Sequence, residues 1–129
     1  MLEIGMNHKT LRTVETQYTA ASMKSGLLEV LATPIMIAWM EECCMECVQS
    51  QLDEGFGTVG TLVNVTHEAP TPVGCDVTIS CFLRQVDGRR LVFAVEASDK
   101  GGIIGRGSHE RFIVDGTKFQ AKCDKKKEN

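Results

Sequence analysis

Glu41 and His67 are the side chains of this sequence that could move a proton from within a folded core. Glu41 lies in the run Thr33-Pro34-Ile35-Met36-Ile37-Ala38-Trp39-Met40-Glu41-Glu42-Cys43-Cys44-Met45-Glu46-Cys47-Val48-Gln49-Ser50-Gln51-Leu52. Helical steps from Glu42 reach Glu46, Gln49 and Asp53, a polar stripe that solvent explains. The same steps from Glu41 reach Ile37, Ala38, Cys44, Met45, Val48 and Leu52, the apolar stripe. A carboxylate there is costly unless it is paired or put to use. His67 shares strand parity with Val63 and Val65, the side expected to face the helix. A lone histidine in such a place is ordinarily a satisfied core residue. A glutamate and a histidine facing one small core shift the balance toward acid–base chemistry.

These residues need a helix and a strand to hold them. Thr33 is expected to cap the helix and Pro34 to occupy its first turn, with Asp53-Glu54-Gly55-Phe56-Gly57 closing it. Twenty-odd residues at about 1.5 Å each make a helix of roughly 30 Å. Before it, residues 1–12 read as a loose lead-in and Val14–Thr19 as a first strand, followed by a connection with short helical turns. After it come four strands: 58–69, 74–86, 90–99 and 103–114. Pro70 and Pro72, Asp87-Gly88 and Lys100-Gly101-Gly102 supply the turns between them. Cys75, Val77, Ile79, Cys81 and Leu83 share one face of the second of these strands; Leu91, Phe93, Val95 and Ala97 face inward on the third. On the last, Gly105, Gly107, His109 and Arg111 share parity. Arg111 is equally suited to a substrate anion and to an ordinary surface ion pair. Residues 116–129, with Lys125-Lys126-Lys127, read as a polar solvated tail.

Strand, apolar helix and antiparallel meander give an α+β chain whose sheet covers one side of the helix. The helix is apolar over most of its circumference in its first half. The simplest solution curls the sheet around it and covers the remainder with a second subunit.

Composition narrows the function classes. The 129 residues suffice for one domain spanning 1–129, and 43% apolar with 24% charged residues is ordinary for a globular chain. With a net charge of −3 and no basic patch among aromatics, nucleic acid is not an expected partner. Three glutamates interrupt the helix, so no membrane span is expected. Six cysteines with no secretory signal indicate reduced thiols in a cytoplasm. Cys44-x-x-Cys47 lies within the helix without a second pair or a nearby histidine, so the cysteines read as small apolar residues and no metal is expected.

The stretch Leu31-Ala32-Thr33-Pro34-Ile35-Met36-Ile37-Ala38-Trp39-Met40-Glu41 resembles the start of the central helix in hotdog-fold thioesterases of the fluoroacetyl-CoA thioesterase type. Gly60, Val65-Thr66-His67 and Gly107-Ser108-His109-Glu110-Arg111-Phe112 continue the likeness over residues 12–115. The resemblance implies a hotdog fold, a curved antiparallel five-stranded sheet wrapped around one long helix. It implies a catalytic set of Thr33, Glu41 and His67, with Gly60 and Arg111 binding substrate. It further implies a homodimer or larger assembly with the site between subunits, and coenzyme A present only as part of an acyl-CoA substrate. The segment Met23-Lys24-Ser25-Gly26-Leu27-Leu28 lacks the aromatic residues of the fluoroacetate-specific member. That departure argues against fluoroacetyl selectivity and leaves thioester hydrolysis intact.

Within that set the chemistry stays open. Thr33 could donate its hydroxyl, cap the helix or attack. Glu41 could be nucleophile or base for water, and His67 could orient or relay a proton. If both are helical, Thr33 and Glu41 lie about 12 Å apart along the axis and cannot hydrogen-bond within one chain. The expected activity is hydrolysis of a short acyl-CoA thioester. The alternative is a non-catalytic or regulatory hotdog module that holds an acyl thioester.

Overall fold

The computed structural model describes residues 1–128. Strand β1 (Asn7–Thr13) leads through a 3₁₀ turn to the short helix α1 (Ala20–Met23) and the central helix α2 (Thr33–Gln49). Strands β2 (Phe56–His67), β3 (Asp76–Asp87), β4 (Arg90–Asp99) and β5 (Gly102–Asp115) follow, then helix α3 (Gly116–Asp124). The five strands form one antiparallel sheet in the order β1-β3-β4-β5-β2.

Alternation builds the core. Val77, Ile79, Cys81 and Leu83 of β3 and Leu91, Phe93, Val95 and Ala97 of β4 are buried against Met36, Trp39, Met40, Cys43, Cys44, Cys47 and Val48 of α2. Each large apolar side chain buried in this way contributes about 1.5–3 kcal/mol. Helix α2 packs against β1, β2, β3 and β4, so the sheet curls around it.

Three local expectations are corrected. The first strand lies at Asn7–Thr13, inside the stretch read as a lead-in, while 16–18 form a 3₁₀ turn. Its helix-facing residues are polar because they meet polar partners: Arg12 pairs with Glu42, and His8 with Glu46 at 3.3 Å. The polar stripe of α2 therefore docks on β1 and is not simply solvated. Val14 and Tyr18 look strand-like because they pack, Val14 in the core and Tyr18 edge-on to Trp39 with ring centroids 5.5 Å apart. Second, residues 116–124 are helical, started by Asp115, whose carboxylate accepts from the Lys118 amide at 3.2 Å. Third, α2 ends at Gln49 instead of Leu52, and its cap is Ala32. Thr33 is the first helical residue, and its hydroxyl does not cap.

A β-bulge between Gly60 and Leu62 sets which side chains of β2 face the helix. Before it, Thr58 and Gly60 lie toward Arg111 and Glu41. After it, Val65 packs on the core and His67 reaches Thr33, while Val63, expected to face the core with them, stays 41% exposed. A strand of strict period two could not direct both Gly60 and His67 to α2.

Candidate active site

Glu41 sits midway along α2 at the rim of the core. Its side chain is 41% exposed, because the stripe holding Ile37, Ala38 and Met45 is the part of the helix the sheet leaves uncovered. The expectation of a fully core-facing carboxylate is corrected accordingly: the buried stripe runs through Met36, Met40, Cys43, Cys44, Cys47 and Val48.

What holds Glu41 is Arg111 of β5. Its Nη1 lies 3.7 Å from Glu41 Oε2, and its side chain is only 7% exposed. Arg111 Nε donates to Thr58 Oγ1 at 2.8 Å and Nη2 to the Thr58 carbonyl at 2.9 Å. Burial lowers the Arg111 pKa and Glu41 raises it, yet a guanidinium stays charged throughout the working range. A planar fork pinned on one side presents its remaining N–H groups in a fixed direction.

Gly60, on β2 opposite Arg111, completes this group. A Cβ at Gly60 would lie 2.7 Å from Glu41 Oε2, 3.2 Å from His109 Cε1 and 3.4 Å from Arg111 Nη1. The missing side chain lets the strand backbone approach the carboxylate.

The second group is at the N-terminus of α2. Thr33 Oγ1 and His67 Nδ1 share a hydrogen bond of 2.7 Å, and His67 Nε2 is buried without a partner among the described residues. Burial lowers the His67 pKa, so the neutral ring is favoured. A hollow of 210 Å³ adjoins His67 together with Glu68, Ala69 and Pro70. Of the first-turn amides, Ile35 and Met36 both donate to Ala32 O and Pro34 has none, which leaves Thr33 to offer both an amide and a hydroxyl.

One chain thus brings Glu41, Gly60 and Arg111 into one cluster and Thr33 with His67 into another. The two lie eight residues apart on α2, about 12 Å along its axis. The sequence reading did not assign a role to His109 or Thr58, which both bond to Arg111. For His109 the available signal was its shared parity with Arg111. For Thr58 there was none, because its inward aim depends on the bulge.

Among the described residues no three His, Cys, Asp or Glu side chains are placed to hold a metal ion. Cys43, Cys44, Cys47 and Cys81 are buried. A hydrogen bond with Cys81, and burial, push the Cys43 thiol far up, away from thiolate chemistry.

A curved five-stranded sheet around one helix, with a carboxylate, a threonine and a histidine along its open side, makes this chain a hotdog-fold thioesterase. It superposes on the fluoroacetyl-CoA thioesterase FlK with a TM-score of 0.93 at 35% identity, covering 98% of both chains. On a thioesterase superfamily member from Thermus thermophilus the TM-score is 0.91 at 26% identity, over 99% of this chain and 95% of the other. The family model described as fluoroacetyl-CoA-specific thioesterase matches residues 14–117. The fluoroacetyl-CoA thioesterase of Streptantibioticus cattleyicolor is 40% identical over 119 residues, 92% of this chain and 84% of that protein. The chain belongs to the fluoroacetyl-CoA-specific thioesterase family.

Proposed function

We propose that this enzyme hydrolyses short acyl-CoA thioesters at a site assembled between two copies of the chain. The observation that carries the reading is the Glu41–Arg111 pair on an uncovered apolar helix face, beside the open edge of β2. A thioester carbonyl needs its attacking group and its oxyanion donors within about 3 Å of the reacting atoms. Glu41 and Thr33 of one chain are too far apart for that. A second copy laid against the same face would bring its Thr33–His67 pair to the first copy's Glu41.

In this arrangement the Glu41 carboxylate, oriented by Arg111, attacks the carbonyl or takes a proton from water. The Thr33 amide and hydroxyl, at the positive end of α2, receive the developing oxyanion, and His67 holds the hydroxyl. Coenzyme A enters as part of the substrate and leaves as the free thiol when the C–S bond breaks; if Glu41 itself attacks, water then hydrolyses the acyl-Glu41 anhydride. FlK structures hold acetyl-CoA, and fluoroacetate with CoA, which supports this ligand class. The segment 23–28 presents Met23, Leu27 and Leu28 where the fluoroacetate-specific member has aromatics, and Leu27 is 94% exposed. We assign the substrate as a short unfluorinated acyl group. Among the described residues no helix is long and apolar enough to cross a membrane. The six free cysteines support a reducing cytoplasm as the site of action.

The test is thiol release from short, branched, aromatic and long acyl-CoAs, run on wild type and on Glu41→Gln. Turnover of the short members, lost by about 100-fold or more in Glu41→Gln with CoA binding retained, is the expected result. Binding without turnover of any thioester by wild type would overturn it in favour of a non-catalytic module.

A further inference from the structure

We infer that His109 is a positioning residue for this site, fixing the Arg111 guanidinium against Glu41 and locking the bulge that lets Gly60 approach. The inference rests on the function proposed above. His109 is 1% exposed on β5, and both of its ring nitrogens are engaged. Nδ1 lies 2.8 Å from the carbonyl of Leu62, the first residue beyond the bulge. A carbonyl only accepts, so Nδ1 carries the proton. Nε2 is then a bare acceptor in the neutral ring, and Arg111 Nη1 donates to it at 3.1 Å.

The two contacts act on different parts of the site. Around Arg111, Thr58 takes Nε and Nη2, and His109 takes Nη1. Every nitrogen of the fork then has an acceptor, which leaves Nη1 directed toward Glu41 with no freedom to swing away. On β2, the bulge interrupts the ladder with β5, and the His109 side chain bonds to the strand directly after the gap. That contact holds the register change which turns Gly60 and, farther along, His67 to the same helix. His109 Cε1 also forms a wall of the space at Gly60.

Only a neutral imidazole with its proton on Nδ1 satisfies this arrangement. A charged ring would set N–H against the N–H of Arg111. The surroundings favour the neutral form: burial lowers the His109 pKa most, and the Arg111 charge lowers it further, against the Leu62 carbonyl and Glu41, which raise it. A histidine kept only to fill space would not require this tautomer.

The tautomer is read by ¹⁵N NMR on wild-type protein labelled at histidine, without substrate. The expected pattern for His109 at pH 7 is a neutral ring protonated on Nδ1; an imidazolium or an Nε2–H tautomer overturns the inference. His109→Phe keeps the volume and removes both bonds. It should lower kcat by about 10- to 100-fold with KM changed by less than about threefold, as expected when a reacting group is misplaced. His109→Gln, whose amide oxygen can reach the Nε2 position, should recover most of that loss. In an Arg111→Lys background His109→Phe should cost clearly less than in wild type, because one of its two contacts is to that guanidinium, and the part that remains reports the Leu62 contact. A kcat within about twofold of wild type in His109→Phe, or independent losses in the double variant, would also overturn it. The Arg111 Nε–H resonance should shift and broaden in His109→Gln less than in His109→Phe. If His109→Phe does not fold, the wild-type spectrum and His109→Gln decide the matter. If wild type cleaves no acyl-CoA, the function proposal fails, and these spectra still report whether His109 holds Arg111.

Discussion

Gly60 has no side chain, and the room this leaves is filled by functional atoms. A methyl group there would meet Glu41 Oε2 at 2.7 Å. The atom it meets is the tip of a half-exposed side chain, which can move, so Gly60→Ala should fold and lose no more than about 1–2 kcal/mol of stability. The displaced carboxylate should cost about 100-fold in turnover. Thermal melts and thiol-release rates on the same preparation test both halves. Arg111→Lys reverses the balance. An ammonium cannot serve Thr58 and His109 together from a fixed fork, and the site is buried. Chemical denaturation should show a loss of about 2–3 kcal/mol from charged hydrogen bonds left unmade. The histidines give the site a pH signature. Burial lowers His109 and His67 from the ordinary value of 6.5, so the unfolded chain binds protons that the folded chain refuses. Their contribution to stability is therefore fully present above pH 6.5 and is lost as pH falls below it toward the lowered folded values. For buried His109 the slope is about 1.4 kcal/mol per pH unit within that window. Urea midpoints at pH 7.5, 6.5 and 5.5 should fall in wild type, and less steeply in His109→Gln.

At the scale of elements, the pairing of β2 with β5 is what assembles the site, and Gly107 permits it. A Cβ at Gly107 would lie 2.1 Å from the Asn64 carbonyl oxygen and 2.6 Å from Val65 Cα. These are backbone atoms of the neighbouring strand, which cannot swing aside as Glu41 can. Gly107→Ala should therefore cost about 2–3 kcal/mol, at the upper end of overpacking losses. It should be the more damaging of the two glycine variants in a denaturation series with Gly60→Ala. The same elements explain what the sequence revealed. Strands β3 and β4 alternate cleanly because one face is sealed, and Asp87-Gly88 marks their turn, so both were legible. Strand β1 was hidden because His8, Thr10 and Arg12 face the helix where an apolar pattern is expected, answering Glu42 and Glu46. Helix α3 was hidden because none of its residues is buried, which removes the amphipathic signal. At the site, helical periodicity set Glu41 apart from Glu42 as the core-facing carboxylate, yet their side chains are about equally exposed, at 41% and 36%. It could not show that Glu41 sits at a rim, because burial on that side is decided by what covers the helix. Strand parity placed His67 inward with Val65, but it could not show that Thr58 and Gly60 share that side, since a bulge has no composition of its own.

For the whole molecule, the open side is the decisive feature. Strand β2 is the outer strand of the sheet beside β5, twelve residues long, with Leu62 44% and Val63 41% exposed. A long apolar edge of this kind invites pairing with another strand and is seldom left bare. Next to it, Ala38 and Met45 flank Glu41 on the uncovered face of α2. An isologous contact of two β2 edges would continue the sheet through both copies and lay each copy's helix N-terminus toward the other's Glu41. The prediction is that wild type sediments as a dimer or a multiple of it. Val63→Lys places a charge at that seam while its side chain can still reach water from an isolated chain. It should therefore release monomers with unchanged far-ultraviolet circular dichroism, and thiol release should fall about 100-fold or more. Because every proposed catalytic residue remains intact in that variant, a monomer with wild-type turnover would mean that one chain suffices. A loss that tracks dissociation and is restored at high protein concentration would show that Glu41 works with the partner's helix end, since mass action alone then recovers the rate.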